Sequence, residues 1–195
     1  MKTSFSSLGC PGWSWDDMLV TAKDLNFNGI ELRGIENELY IPKAKPFTEQ
    51  NLRKTMERLE KLGLEIPCLT SSCYLFDKHG IDYYIKEGKE YIDLAHKLQV
   101  PFVRVLGDRN PEPGRDIDLD YVAGNLAVLA GYAAERKVKV LIETNGVLAD
   151  SDKLLRLIKS INSNSAGVLW DIHHPYRYMG ESIDKTYNTL KDFIM

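Results

Sequence analysis

Six short apolar runs, separated by segments with helical spacing, constrain this chain more than any other feature. The runs lie near 3–8, 28–33, 64–70, 101–106, 138–143 and 165–171, so their starts are 25, 36, 37, 37 and 27 residues apart. Each run has strand length and is too short to be a helix. Continuously apolar strands alternating with helices imply a parallel sheet whose faces are covered by those helices.

Helix signals fill the gaps. Ser14 and Asp17 form a capping-box pattern ahead of Met18, Ala22 and Leu25. Thr48 is the expected cap of a second helix carrying Leu52, Met56, Leu59 and Leu62, with Gly63 as its stop. A third helix is expected from about Asp82 to Leu98, and a fourth from Asp118 or Asp120. The fifth and sixth are expected to begin near Asp150 and Asp184. The pattern is that of a single domain over residues 1–195 with six successive βα units. Periodicity does not choose between an open doubly wound sheet and a barrel. The first strand is followed by Gly9-Cys10-Pro11-Gly12-Trp13, which is not the glycine-rich turn of a dinucleotide fold, and no P-loop is present.

Composition removes several function classes. The net charge of −3 comes without any concentrated basic run, so nucleic acid is excluded as an expected partner. No apolar stretch reaches membrane-spanning length, so no membrane partner is expected. Cys10, Cys68 and Cys73 form no CxxC pair and are too few for a disulfide framework. Reduced thiols and an N-terminus without an apolar leader give a cytoplasmic expectation.

The chemistry concentrates at strand ends. The fifth run closes on Glu143 and the sixth on Asp171, with His173 and His174 just behind it. Side chains alternate along a strand, so Glu143 shares a face with Leu141, Asp171 with Leu169 and Gly167, and Glu31 with Gly29 and Arg33. Acids gathered at one end of a sheet repel one another unless a cation or protons neutralise them. Hard divalent ions do this with oxygen ligands, and a neutral imidazole can join them. Each acid has a plainer reading. Glu31 can pair with Arg33, and a lone strand-end acid can cap a helix. Trp13, Trp15 and Tyr74 can floor a sugar pocket or simply pack. One of His173 and His174, in a loop before Pro175, is expected at the site. His79 and His96 read as structural or surface residues.

The segments Gly29-Ile30-Glu31-Leu32-Arg33, Val103-Arg104-Val105, Ile142-Glu143-Thr144-Asn145 and Trp170-Asp171-Ile172-His173-His174-Pro175 occur in the order and spacing of a known family. The chain resembles the xylose isomerase-like TIM-barrel superfamily. Within it, the chain looks like the sugar phosphate isomerase/epimerase group of inosose isomerase or dehydratase and ketose 3-epimerase enzymes. The resemblance implies an α/β barrel of parallel (β/α) TIM type, binding one divalent metal ion (Mn, Mg, Co or Zn) and a small-molecule sugar, sugar phosphate or cyclitol. It implies that Glu143 is a metal ligand and acid/base, that Asp171 is the second ligand, and that His174 contacts substrate. Glu31, Arg33 and Trp13 are the further substrate-binding candidates. The family's other ligands, a His and a Glu, sit on strands seven and eight, which the 195 residues do not supply. The expectation is therefore an incomplete barrel of about six βα units with a half-built metal site, in which a homodimer can cover the open flank. The rival expectations are an inactive, non-catalytic relative and, less favoured by charge and histidine count, a metal-dependent endonuclease of the same superfamily.

Overall fold

The computed structural model describes residues 1–195. Six strands alternate with seven α-helices. The strands are β1 (Ser4–Ser6), β2 (Gly29–Glu31), β3 (Cys68–Tyr74), β4 (Phe102–Leu106), β5 (Lys139–Glu143) and β6 (Ala166–Leu169). The helices are α1 (Trp15–Asp24), α2 (Leu52–Leu62), α3 (Ile81–Leu98), α4 (Leu119–Ala134), α5 (Ser151–Ile161), α6 (His173–Met179) and α7 (Ile183–Leu190). The chain forms two compact units, Met1–Ser71 with Glu90–Val103, and Ser72–Lys89 with Arg104–Met195. No helix is long and apolar enough to cross a membrane.

In the first unit, β1 and β2 pair in parallel, with Ser6 opposite Glu31. Single parallel bridges from Gly29 to Glu65 and from Leu32 to Leu69 extend β2 on its other side. The α1 helix starts where the sequence places it, because Ser14 and Asp17 complete a capping box. Its Met18, Leu19 and Ala22 are fully buried, as are Ile30 and Leu32 of the β2 region. Thr48 does not cap α2; that helix starts at Leu52 behind Asn51, which makes no side-chain cap. The Thr48 hydroxyl instead donates to the Lys45 carbonyl and accepts from the Asn51 amide, bracing the turn that precedes the helix.

Gly29 shows how closely the backbones approach in this unit. A Cβ there would lie 2.5 Å from the Glu65 carbonyl oxygen. Backbone cannot move aside as a flexible side-chain tip does. Gly29→Ala is therefore expected to lower stability by about 1–3 kcal/mol, measured as a fall in the urea midpoint with an unchanged slope. An unshifted midpoint would mean that this approach relaxes freely.

A four-stranded sheet has the order β3-β4-β5-β6, of which β5 and β6 lie wholly in the second unit. Strand three begins later than its apolar run, at Cys68. Pro67 has no N–H to give a ladder, and the buried Thr70 and Ser71 extend the strand beyond the apolar residues. β5 and β6 are parallel, with Leu141 opposite Gly167 and Glu143 opposite Leu169. Asp118 and Asp150 cap α4 and α5, accepting from the N–H groups of Tyr121 and Lys153. These helices bury Val122, Leu126 and Leu129 and, from α5, Leu154, Leu157 and Ile158. Past α7 the backbone returns to β6. The Val168 N–H donates to the Phe193 carbonyl at 2.8 Å, and the Met195 N–H donates to the Val168 carbonyl at 3.3 Å. Residues 193–195 thus lie along the edge of β6 away from β5.

All three cysteines are free. Burial pushes the Cys73 thiol well above its ordinary value, and the nearby Glu87 charge adds to the shift.

Candidate metal and substrate site

Three residues of the second unit bring ligand atoms together. Glu143 ends β5, Asp171 follows β6, and His174 opens α6. One ligand atom from each lies within 4.8 Å of the others. His173 and His174 are not in a loop: they form the first turn of α6. Asp171 makes this possible, since its Oδ1 accepts the N–H groups of His173 and His174 at 2.8 and 3.3 Å. Pro175 fits because the N–H groups of a first helical turn have no partner within the helix.

Each of the three side chains has one polar atom bonded to a group outside the three side chains. The Glu143 Oε2 accepts from the Nε of Arg104 at 2.8 Å, and both side chains are only 11% exposed. The Asp171 Oδ1 is taken by the two helix N–H groups. The His174 Nδ1 lies 3.2 Å from the Thr144 carbonyl oxygen. A carbonyl can only accept, so the hydrogen is assigned to Nδ1 and the neutral ring keeps a lone pair on Nε2. Nε2 lies 3.6 Å from the Asp171 Oδ2, and the Glu143 Oε1 lies 3.9 Å from Nδ1. The cluster offers a carboxylate oxygen from each of Glu143 and Asp171 and an imidazole nitrogen from His174. That donor chemistry suits a divalent cation of the Mn, Mg, Co or Zn type, with imidazole favouring the transition metals of the set.

Arg104 is the residue that the sequence reading missed as part of this site. Its signal was a charge in the middle of a strand, between Val103 and Val105. Asp108 was missed as well. It is buried and accepts from the N–H groups of Arg109, Gly114 and Val147 at 2.7, 2.7 and 2.9 Å. The Val147 bond ties the turn after Glu143 to the loop after β4, which the other two bonds brace.

The other candidates lie in the first unit. Glu31 does not depend on Arg33 for a partner: its Oε1 accepts from the hydroxyls of Ser6 and Thr70 at 3.0 and 2.9 Å. Arg33 donates through its guanidinium to the Leu39 carbonyl and through its N–H to the Ser7 hydroxyl. Trp13 is 42% exposed and meets Phe5 edge to face.

The sequence pattern of the xylose isomerase-like TIM barrel family matches residues 19–195. No curated protein sequence matches the chain. Solved structures do match in fold. The probable 3-DHS dehydratase AsbF of Bacillus anthracis superposes with a TM-score of 0.83 at 18% identity, over 100% of this chain and 71% of that one. The D-psicose 3-epimerase of Clostridium cellulolyticum H10, solved with D-tagatose, gives 0.78 at 13% identity, over 100% and 71%. A xylose isomerase-like TIM barrel protein of Mycobacterium smegmatis, solved in complex with magnesium, gives 0.78 at 12% identity, over 98% and 72%.

Proposed function

The chain belongs to the xylose isomerase-like TIM barrel family, and from that membership we propose that it carries a divalent-metal site of a sugar, sugar phosphate or cyclitol isomerase or epimerase. The observation that carries the reading is the cluster of Glu143, Asp171 and His174, each with one polar atom bonded to a neighbouring group. A site whose ligands are oriented before the ion arrives loses less side-chain freedom on binding.

Glu143 and Asp171 would hold the ion, and His174 faces the same space. A bound divalent ion would supply positive charge beside the substrate carbonyl, making a neighbouring C–H more acidic. Glu143 would take that proton. Arg104 holds its Oε2 and so orients the carboxylate. The exchange of one hydrogen at carbon, in and out, is the chemistry that inverts a centre or moves a carbonyl. His174 presents an Nε2 lone pair that can accept from a substrate hydroxyl. In the first unit, Glu31, Arg33 and Trp13 are the proposed substrate contacts.

Calorimetric titration with Mn²⁺ tests this reading. The wild-type chain should show saturable one-to-one binding. Asp171→Asn should weaken it by about 10- to 100-fold, the scale on which a metal site responds to damage. His174→Ala should weaken it much less if the imidazole serves substrate, and as much as Asp171→Asn if it ligates the ion. A wild-type chain with no saturable Mn²⁺ binding would overturn the proposal.

A further inference from the structure

Thr144 directs all of its polar groups at the segment that carries Asp171 and His174. Its N–H donates to the Leu169 carbonyl at 3.1 Å. Its hydroxyl donates to the Asp171 carbonyl at 3.0 Å and accepts the Asp171 N–H at 2.8 Å. Its own carbonyl receives the Nδ1–H of His174 at 3.2 Å. The residue is fully buried, so water cannot stand in for any of these partners. It is also the next residue after Glu143.

We propose that Thr144 is a positioning residue that clamps Asp171 and His174 onto the end of β5 and so sets the spacing of the metal-ligand cluster. This rests on the metal-site reading above. The sheet ladder alone does not fix that spacing. β6 ends at Leu169, opposite Glu143, so Trp170 and Asp171 lie beyond the paired residues. The Thr144 hydroxyl continues the connection two residues further, bonding both the N–H and the carbonyl of Asp171. Those bonds fix the Asp171 backbone. The Asp171 Oδ1 then holds the N–H groups of His173 and His174, and the Thr144 carbonyl orients the His174 ring. A single buried hydroxyl therefore links the two strands' functional ends, and the polar groups of Thr144 are all engaged in that link.

Valine has the shape of threonine without the hydroxyl, and serine has the hydroxyl without the methyl, so the two variants separate packing from hydrogen bonding. Two readouts follow, Mn²⁺ affinity by calorimetry and amide hydrogen exchange in the metal-free chain. Thr144→Val is expected to weaken Mn²⁺ binding by about 10- to 100-fold and to speed exchange at Asp171, His173 and His174 by about tenfold or more. Thr144→Ser should stay near wild type in both. Val168→Ala, which opens a cavity in β6 without touching the clamp, should lower the melting temperature yet keep Mn²⁺ affinity near wild type. Unchanged exchange at residues 171–174 in Thr144→Val overturns the clamp whatever the metal does. Equal loss of affinity in Val168→Ala would reduce Thr144 to a packing role. A wild-type chain that binds no Mn²⁺ sinks the metal-site reading instead, and the exchange measurement still decides the clamp.

Discussion

Arg104→Met is expected to destabilise the folded chain by about 3–5 kcal/mol, the cost of removing one partner of a buried ion pair. The Nε of Arg104 is 2.8 Å from the Glu143 Oε2, and neither side chain is more than 11% exposed. At a surface such a pair would contribute little, because water solvates each charge once the other is gone. Here the carboxylate has little access to water. Methionine fills much of the arginine's volume, so the loss reports on charge more than on a cavity. The matching change, Glu143→Gln, removes the charge from the other side. The double variant Arg104→Met with Glu143→Gln should recover a large part of the loss, because no uncompensated ion is left. Urea unfolding of the three variants gives the coupling energy directly. An Arg104→Met chain within about 1 kcal/mol of wild type would show that Glu143 is solvated, against the burial described above.

The same pair shows what the sequence discloses and what it withholds. Glu143 and Asp171 were legible because each closes an apolar run, and the parallel strands that follow from those runs put both acids at one end. Arg104 was visible as an odd charge in a strand, but its partner depends on which strand lies beside β4. Strand order and register are long-range properties, and apolar parallel strands look alike in sequence. Thr144 was hidden for a related reason. A threonine at a strand end can bond to several kinds of neighbour, and only the placement of β6 selects Asp171. The sequence puts His173 and His174 in a loop before Pro175, where the structure has the first turn of α6. In the first turn Pro175 costs no helix bond, and the Asp171 side chain supplies the cap. The return of residues 193–195 to β6 could not be read at all, since three residues carry no period. The starts of α1, α4 and α5 were the most legible elements, because a capping side chain is a local signal that needs no distant partner.

Gly146→Ala is expected to cost about 2–5 kcal/mol, from two sources that act at the same position. Gly146 has φ +58, a left-handed conformation that costs a residue with a Cβ about 1–2 kcal/mol. The new methyl would also overlap the Cβ, Cγ and Oδ2 of Asp108. Asp108 cannot swing away cheaply. Its carboxylate holds three backbone N–H groups, from Arg109, Gly114 and Val147, and its carbonyl accepts from the Asn145 amide at 3.1 Å. Moving it would break these four hydrogen bonds, and relaxing the turn instead would pull on Asn145 and Thr144. Gly180→Ala isolates the conformational part, because Gly180 has φ +64 and nothing within 4 Å of an added Cβ. Urea unfolding should therefore place Gly146→Ala below Gly180→Ala by about 1–3 kcal/mol, the cost of the overlap alone. Equal losses would mean that Asp108 moves freely. If the Thr144 clamp holds, the two variants should also differ in Mn²⁺ binding. Gly180→Ala strains the far end of α6 and should leave affinity intact, whereas Gly146→Ala displaces the turn that fixes Thr144 and should weaken it.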